Sequence, residues 1–339
     1  MTRTFDIKEA VRESVPLLIG LVGPSGGGKT GSALELAHGI QEVVGGDIGG
    51  IDTEANRMKH YANAPMFSDK KRNFKFKHLA FSAPFNPGSY QQAIDAMIKA
   101  GVKTVIVDSF SHEHDGPGGV LEMHEAKLDK LAGQDYAKRE RSTFLAWAEP
   151  KAERRALINY LLQQPCNFIF CFRAKEKIKM LKDAEGKNKP IAQGWQPIAG
   201  EEFVFEMTLN CLLLPGANGI PTWSPDEKAE RQMIKLPEQF KAICTPNRPL
   251  SAAMGKELAL WAKGGESKPQ AETPQAIASE EGLLFSLTKQ LQECATMAAL
   301  KAKASEVKSA KEAGKLSADD AGALLATYQE VKTFLEVKK

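Results

Sequence analysis

Residues 23–30 read GPSGGGKT, a glycine-rich stretch whose residue types could hold a phosphate group. The stretch follows an apolar run at 17–22 and precedes a segment with helical spacing, so a strand, a tight turn and a helix N-terminus are predicted. Glycines let successive backbone N–H groups point at one anion, and the helix dipole adds positive potential. Lys29 would then reach the β- and γ-phosphates of a nucleotide, and the Thr30 hydroxyl would hold Mg²⁺.

A chance match in a flexible glycine-rich loop is the alternative interpretation of this stretch. The motif is complete and lies in the strand-to-helix context that phosphate binding requires, which favours a phosphate-binding loop. The predicted nucleotide contacts are Gly23, Pro24, Ser25, Gly26, Gly27, Gly28, Lys29, Thr30 and Gly31.

Two further segments end in acidic residues where such a loop needs them. Residues 47–54 resemble a short buried strand that presents Asp52 and Glu54, and residues 102–109 form a β-branched strand that reaches Asp108. In an open parallel sheet, ligands gather at the carboxyl ends of the strands. Asp108 would therefore meet the Mg²⁺ shell. For Asp52 and Glu54, the alternative is a pair of acids in a turn.

The elements that must position these side chains alternate between strands and helices. Additional strands are predicted at 166–173 and 203–214, and residues 120–164 are predicted to be mostly helical. A helix over 87–100 is indicated by Asn86 as the N-cap, with proline at the first helical position. This alternation predicts a doubly wound, mostly parallel sheet.

Three polar segments leave more than one interpretation open. Residues 69–77 alternate aromatic and basic residues, which is typical of a lysine-protected edge strand, with nucleic-acid contact as the alternative. Residues 173–189 are rich in lysine and are predicted to be a loop, either a solvated connection or a contact to DNA or a neighbouring subunit. Residues 110–119 form a polar loop, either solvated or facing substrate, for which metal binding is a weaker alternative.

Composition excludes several classes of protein. The net charge of +3 is too small to indicate a nucleic-acid or membrane partner by itself. The 5 cysteines form no CxxC pair, which argues against a disulfide framework and fits a reducing cytoplasm. The longest apolar run is far shorter than the roughly 20 residues that span a bilayer, and Asp6 and Glu9 lie where a signal peptide would be apolar. We therefore expect a cytoplasmic protein with no membrane partner.

The sequence also predicts how the chain is divided. Residues 1–263 should form the core, residues 264–282 a linker rich in Gly, Pro, Ser, Gln and Glu, and residues 283–339 a small helical domain. Apolar stripes in the helical domain are interpreted as its core, with docking of a partner as the alternative.

Taken together, the motifs GPSGGGKT, IDTE (51–54), VIVDSFSHE (105–113), GPGG (116–119) and FRAK (172–175) resemble the RecA-like ATPases of bacteriophage recombination modules. These proteins are related to single-strand-annealing proteins, and the resemblance covers about residues 15–215. It implies a RecA-like P-loop fold that uses ATP and Mg²⁺.

The resemblance also implies roles for individual residues. Glu54 would polarise the attacking water, Lys29 and Thr30 would hold phosphate and Mg²⁺, and Asp108 would anchor the Mg²⁺ shell. The sequence departs from RecA after the fifth strand, where Cys171-Phe172-Arg173 replaces a polar Asn-Gln pair. We therefore predict that Arg173 takes the place of the glutamine that senses the nucleotide in RecA.

Three lysines follow Arg173 at alternate positions. Lys175 and Lys177 could act in trans on the γ-phosphate of a neighbouring subunit, or Lys175, Lys177 and Lys179 could contact DNA. Solvated surface charge is the equally weighted alternative.

The leading hypothesis is an oligomeric, Mg²⁺-dependent ATPase, a ring or a filament, that binds single-stranded DNA in recombination or annealing. A recombination protein or a single-strand-binding protein is a possible partner. The alternative is a nucleotide switch that regulates a protein partner without DNA. A small-molecule kinase is the least favoured hypothesis, because the sequence has no acceptor-binding or lid motif.

Overall fold

The computed structural model describes residues 9–10, 12–182, 188–224, 234–264, 287–288, 290–291, 296–312, 324–329 and 331–332. The chain divides into two compact units, Met1–Ser267 and Lys268–Lys339. The predicted linker at 264–282 lies outside the described residues, apart from Gly264. In the second unit, Leu287, Leu291, Leu300 and Leu324 are buried together.

The first unit is built on a seven-stranded sheet with the order β3-β2-β4-β5-β1-β7, in which β6 pairs with β5 outside this path. Neighbours along the path are parallel, whereas β5 and β6 pair antiparallel. The strands are β1 (Leu18–Gly23), β2 (Asp47–Asp52), β3 (Lys77–Ala80), β4 (Val102–Asp108), β5 (Asn167–Lys182), β6 (Asn188–Pro197) and β7 (Leu209–Leu212).

Helices cover both faces of the sheet, so the fold is α/β as predicted. The helices are α1 (Lys29–Val44), α2 (Pro87–Lys99), α3 (His112–Asp115), α4 (Val120–Ala132), α5 (Tyr136–Ala146), α6 (Ala148–Leu162), α7 (Glu201–Phe205), α8 (Ala252–Ala262) and α9 (Met297–Glu312). The start of α2 is as predicted, because the Asn86 side chain accepts a hydrogen bond from the Ser89 N–H. Within the described residues, no helix combines the length and the apolarity needed to cross a bilayer.

Each face of the sheet has its own hydrophobic core. Leu21 packs on one face with residues of α1 and α8, including Ile40 and Leu258. Val22, the next residue in β1, belongs to the opposite core with α2 and α6. Because the central strands are buried on both faces, their sequences are nearly continuous apolar runs. These runs made the strands predictable from the sequence.

Two predicted elements are wrong. The described parts of the segment 173–189 are strand and not loop, because β5 continues to Lys182 and β6, which begins at Asn188, pairs with it as an antiparallel ribbon. Residues 183–187 lie outside the described residues. The segment is polar, and for that reason it was predicted as a loop. Its lysines nevertheless alternate with other residues, which is the two-residue periodicity of a β-strand. Residues 203–214 are not one strand, since 201–205 form α7 and β7 begins only at Leu209. Glu201 and Glu202 lie in the first turn of α7, where acidic side chains stabilise a helix.

The basic segment at 69–77 is an edge strand only at its end. β3 lies at the edge of the sheet, as expected, but begins at Lys77. Phe74 is buried and Phe76 is partly buried in the core. The rings therefore anchor this segment, and Lys75 and Lys77, which alternate with them, are exposed.

Candidate functional site

The predicted phosphate-binding loop connects the end of β1 to the start of α1. Gly26 and Gly28 both have φ of 80°, in the left-handed region that favours glycine. The Lys29 ammonium donates hydrogen bonds to the carbonyl oxygens of Gly23 at 2.9 Å and Pro24 at 2.8 Å. An ammonium carries three N–H groups, so one is left for a ligand at this loop.

Thr30 and Asp108 meet beside the loop. The Thr30 hydroxyl donates a hydrogen bond to the Asp108 carboxylate, which is 7% exposed. Burial raises the pKa of Asp108 to about 6, and the negative charges of Glu54 and Asp52 also raise it, against the opposing effects of Thr30 and Lys29. A cation next to this carboxylate would relieve the cost of keeping it charged.

The donor set at this point suits Mg²⁺. Hydroxyl and carboxylate oxygens are the ligands that Mg²⁺ prefers, and it usually combines one or two carboxylates with substrate phosphates and water. Within the described residues, no group of three or more His, Cys, Asp or Glu side chains could hold a metal ion by itself. Thr30 and Asp108 therefore fit an ion whose shell is completed by phosphate.

The two acids after β2 have different surroundings. The Asp52 carboxylate is 2% exposed and accepts hydrogen bonds from the backbone N–H groups of Glu54 at 2.8 Å and Met58 at 2.9 Å. His78 contacts the same carboxylate at 3.1 Å. The Glu54 side chain is 27% exposed and forms a long ion pair with Arg57 at 3.4 Å. Asp52 thus shapes the turn, and Glu54 remains accessible at the same edge of the sheet as Asp108.

β5 brings Arg173 between the loop and Asp108. Arg173 is in register with Gly23, the last residue of β1. Its backbone N–H donates to the Ser111 hydroxyl at 2.8 Å, and its guanidinium donates to Asp115 at 2.8 Å. The Arg173 Nε is buried and has no hydrogen-bond partner among the described residues. A cationic side chain is therefore held at the carboxyl edge of the sheet by one exposed acid.

The predicted lysines lie on the ribbon of β5 and β6, beyond Arg173. Lys175 and Lys177 are exposed, and the side chain of Lys179 lies outside the described residues. Ile178 and Met180, which alternate with the lysines, are 66% and 58% exposed. The ribbon therefore presents basic and apolar side chains to solvent.

Sequence reasoning missed two aromatic side chains next to the loop. A Cβ atom on Gly31 would lie 2.6 Å from Phe67 Cε2 and 3.5 Å from Tyr61 Cε1, so both rings are against the first turn of α1. The rings of Tyr61 and Phe67 meet edge to face, and Phe67 is 56% exposed. The turns that carry these rings contain no recognisable motif, so this contact could not be predicted from local sequence.

The polar segment after β4 is packed into the protein, which differs from the predicted solvated or substrate-facing loop. Glu113 accepts two hydrogen bonds of 2.9 Å from the buried Arg154 guanidinium. Arg154 also contacts His114 Nδ1 at 2.9 Å, and His112 Nδ1 lies 2.6 Å from the Thr53 hydroxyl. These histidines and this acid serve contacts within the protein that hold the segment beside the site.

No protein-family model matches this chain, and a search of curated proteins finds no similar sequence. The side chains gathered at the carboxyl edge of the sheet are therefore the basis for assigning a function.

Proposed function

We propose that this chain is a Mg²⁺-dependent ATPase of the RecA-like type that binds ATP at residues 23–31 and hydrolyses it to ADP and phosphate. The observation that carries the proposal is the contact between Thr30 and Asp108 beside Lys29. It supplies two oxygen ligands for Mg²⁺ next to a loop with an ammonium group, which is the arrangement that P-loop enzymes use.

Each side chain then has one task. Lys29 donates its remaining N–H to the terminal phosphates, and Thr30 and Asp108 hold Mg²⁺. Glu54 accepts a hydrogen bond from the attacking water and orients it. Bound Mg²⁺ supplies charge neutralisation on the phosphates, and Arg173 adds positive charge on the side of β5. Catalysis of phosphoryl transfer is mostly positioning and electrostatics, and these five side chains with Mg²⁺ are the groups to which we assign it.

The strand order supports a P-loop fold over a dinucleotide-binding one. In the dinucleotide-binding order 3-2-1-4-5-6, β1 and β4 are neighbours. In this sheet β5 lies between them, and it carries Arg173 to the loop. The lysine and threonine at the end of the loop are also typical of phosphate and Mg²⁺ binding.

Tyr61 and Phe67 supply an apolar surface for the nucleobase. They lie against Gly31, one residue beyond the proposed Mg²⁺ ligand Thr30. A base that stacks on an exposed aromatic ring gains about 1–3 kcal/mol and is not read by its hydrogen-bonding groups. This surface therefore favours binding of a purine or pyrimidine nucleotide without strong selection among bases.

We further propose that the ribbon of β5 and β6 binds single-stranded DNA. Lys175 and Lys177 supply charge for phosphates, and the exposed Ile178 and Met180 supply apolar contact for bases. Arg173 lies two residues before Lys175 on the same strand, so nucleotide and DNA would bind to one continuous element. In an oligomer, the same lysines would reach a neighbour's nucleotide.

The test is steady-state ATP hydrolysis with and without single-stranded oligo-deoxythymidine. Charge reversal at Lys175 and Lys177 should bring the ratio of the two rates towards one. The matched control is Lys130→Glu with Lys138→Glu, which changes two exposed lysines on α4 and α5 by the same charge. If DNA does not change the wild-type rate of hydrolysis, the hypothesis of a DNA-dependent ATPase fails and that of a regulatory nucleotide switch takes its place.

A further inference from the structure

A basic cavity lies at the opposite end of the sheet from the phosphate-binding loop. It has a volume of about 590 Å³ and lies between the second half of α1 and the amino ends of β2 and β3. β2 has six residues, so this cavity and the carboxyl edge are separated by roughly 20 Å of strand. The lining includes the cationic side chains of Lys71, Arg72, Lys75 and Lys77.

Two of these cations have acidic partners, which only partly neutralise the cavity. Lys77 contacts the Asp47 carboxylate at 2.8 Å. Arg72 contacts Glu42, but Glu42 also binds Lys256 at 3.1 Å, so one carboxylate serves two cations.

The other two cations, Lys71 and Lys75, have no acidic partner among the described residues. His38 also lines the cavity, and burial lowers its pKa, which favours the neutral imidazole. Its Nδ1 contacts the Leu34 carbonyl at 2.9 Å, and its Nε2 accepts a hydrogen bond from the Lys75 N–H at 3.1 Å. The imidazole therefore fixes the backbone of Lys75 and leaves the ammonium group to solvent.

The segment that carries these cations is held firmly. The backbone N–H of Lys71 donates to the Asp69 carboxylate at 3.0 Å, and Phe74 is 1% exposed in the core. Protection of an edge strand explains a lysine on β3 such as Lys77, and the ion pair with Glu42 explains Arg72. Lys71 precedes the strand and Lys75 lies just before it, so neither explanation covers these two charges at the cavity.

We propose that this cavity binds the phosphate groups of a nucleic-acid strand, as a second site separate from the ribbon of β5 and β6. Phe74 is buried, so base stacking on it is excluded. Phe76 lines the cavity but packs partly buried against the core, so we assign the contact to the phosphate backbone. The cavity is lined mainly by long polar side chains, whereas a site for a small ligand is mostly apolar with a few fixed polar groups. Flexible cations suit a repeated phosphodiester, bound without regard to sequence.

The first experiment is a lysine-acetylation footprint of the full chain, read by mass spectrometry and independent of ATP hydrolysis. Single-stranded oligo-deoxythymidine at low salt should slow acetylation of Lys71 and Lys75 several-fold. Lys130 and Lys138, which are exposed on the helices α4 and α5, should react at an unchanged rate. Protection by inorganic tripolyphosphate but not by the oligonucleotide would overturn the proposal in favour of a small phosphorylated ligand, and protection by neither would overturn it outright.

The second experiment measures the salt dependence of oligonucleotide binding. Each phosphate contact on a single strand adds about 0.7 to the slope of log affinity against log salt. Lys71→Glu with Lys75→Glu should therefore reduce that slope by roughly 1.4, whereas Lys130→Glu with Lys138→Glu should leave it unchanged. The proposal also fails if the first pair of substitutions leaves the slope at the wild-type value. Since neither readout involves ATP, failure of the proposed ATPase would leave this inference standing.

Discussion

Thr30 at the start of α1 donates a hydrogen bond to Asp108 at the end of β4, although 78 positions separate the two residues in the chain. The contact spans the position of β5, which lies between β1 and β4 in the sheet. The two oxygen ligands that we assign to Mg²⁺ are therefore fixed by the sheet itself, and a ligand has only to complete the shell.

Asp108→Asn should slow hydrolysis strongly without loss of stability. The amide still accepts the hydrogen bond from Thr30, but it lacks the charge that Mg²⁺ requires, so we expect the rate to fall by roughly 10²–10³-fold. Because burial disfavours the charged carboxylate, the melting temperature should equal or exceed that of the wild type. Asp115→Asn, on the same edge, is the control. A large drop in the melting temperature of Asp108→Asn would contradict this interpretation.

Arg173→Ala should lower kcat more than it raises KM. The guanidinium is assigned to charge that develops on the transferred phosphate, and loss of one such group costs about 10²-fold or more. Asp115→Ala removes the acidic partner at 2.8 Å but keeps the cation, so it should lower kcat less than Arg173→Ala does. Initial rates over a range of ATP concentrations test both variants. Wild-type kcat in Arg173→Ala would remove Arg173 from the site.

Asp52→Asn should destabilise the core unit. One oxygen that accepts from the Glu54 or Met58 N–H would be replaced by an amide N–H₂ group, which leaves that buried backbone donor without its acceptor, and the contact with His78 Nε2 would change. We expect the free energy of unfolding to fall by about 1–3 kcal/mol, as for other buried groups that lose a hydrogen-bond partner. Asp47→Asn changes an exposed acid on the same strand, and should cost less than about 1 kcal/mol. Urea denaturation compares them, and equal costs would contradict the structural role of Asp52.

His114 should make the protein less stable at acid pH. Burial and the adjacent Arg154 lower its pKa to about 4, so the folded state binds fewer protons than the unfolded state between about pH 6.5 and pH 4. Stability from this residue is therefore lost as the pH falls through that window. The charged groups that act on it, besides Arg154, are Asp115, Glu202 and Lys175.

The test of His114 is the melting temperature as a function of pH. His114→Gln keeps an acceptor for Arg154 but cannot be protonated, so its melting temperature should fall less than that of the wild type between pH 6.5 and pH 4. Parallel curves for the two proteins would show that His114 does not titrate in this window.

Much of the fold could be predicted because the signals are local. Apolar runs indicate the parallel strands, and an asparagine followed by proline indicates the start of α2. Glycines before Lys29 indicate the loop between β1 and α1. The acids Asp52, Glu54 and Asp108 were placed at strand ends for the same reason. The function of these residues stays a prediction.

The remaining features depend on contacts between distant residues or on weak periodicity. The pair of Glu113 and Arg154 joins positions 41 apart, and no local pattern identifies it. Tyr61 and Phe67 reach Gly31 only because their turns fold back over α1. The ribbon was predicted as a loop since charge dominated its composition, whereas its backbone pairing depends on alternation alone.

The most direct test of the central claim compares ATP binding with ATP hydrolysis in wild type and Glu54→Gln. The amide can still hydrogen-bond but is a poor acceptor for a water proton, so hydrolysis should fall about 10²–10⁴-fold while the Kd for ATP with Mg²⁺ stays close to that of the wild type. Lys29→Ala, purified in the same way, should bind no ATP and hydrolyse none. Its inactivity would show that the wild-type rate does not come from a contaminating ATPase. Wild-type hydrolysis by Glu54→Gln would contradict the assignment of Glu54, and equal hydrolysis by Lys29→Ala would contradict an ATPase at this loop.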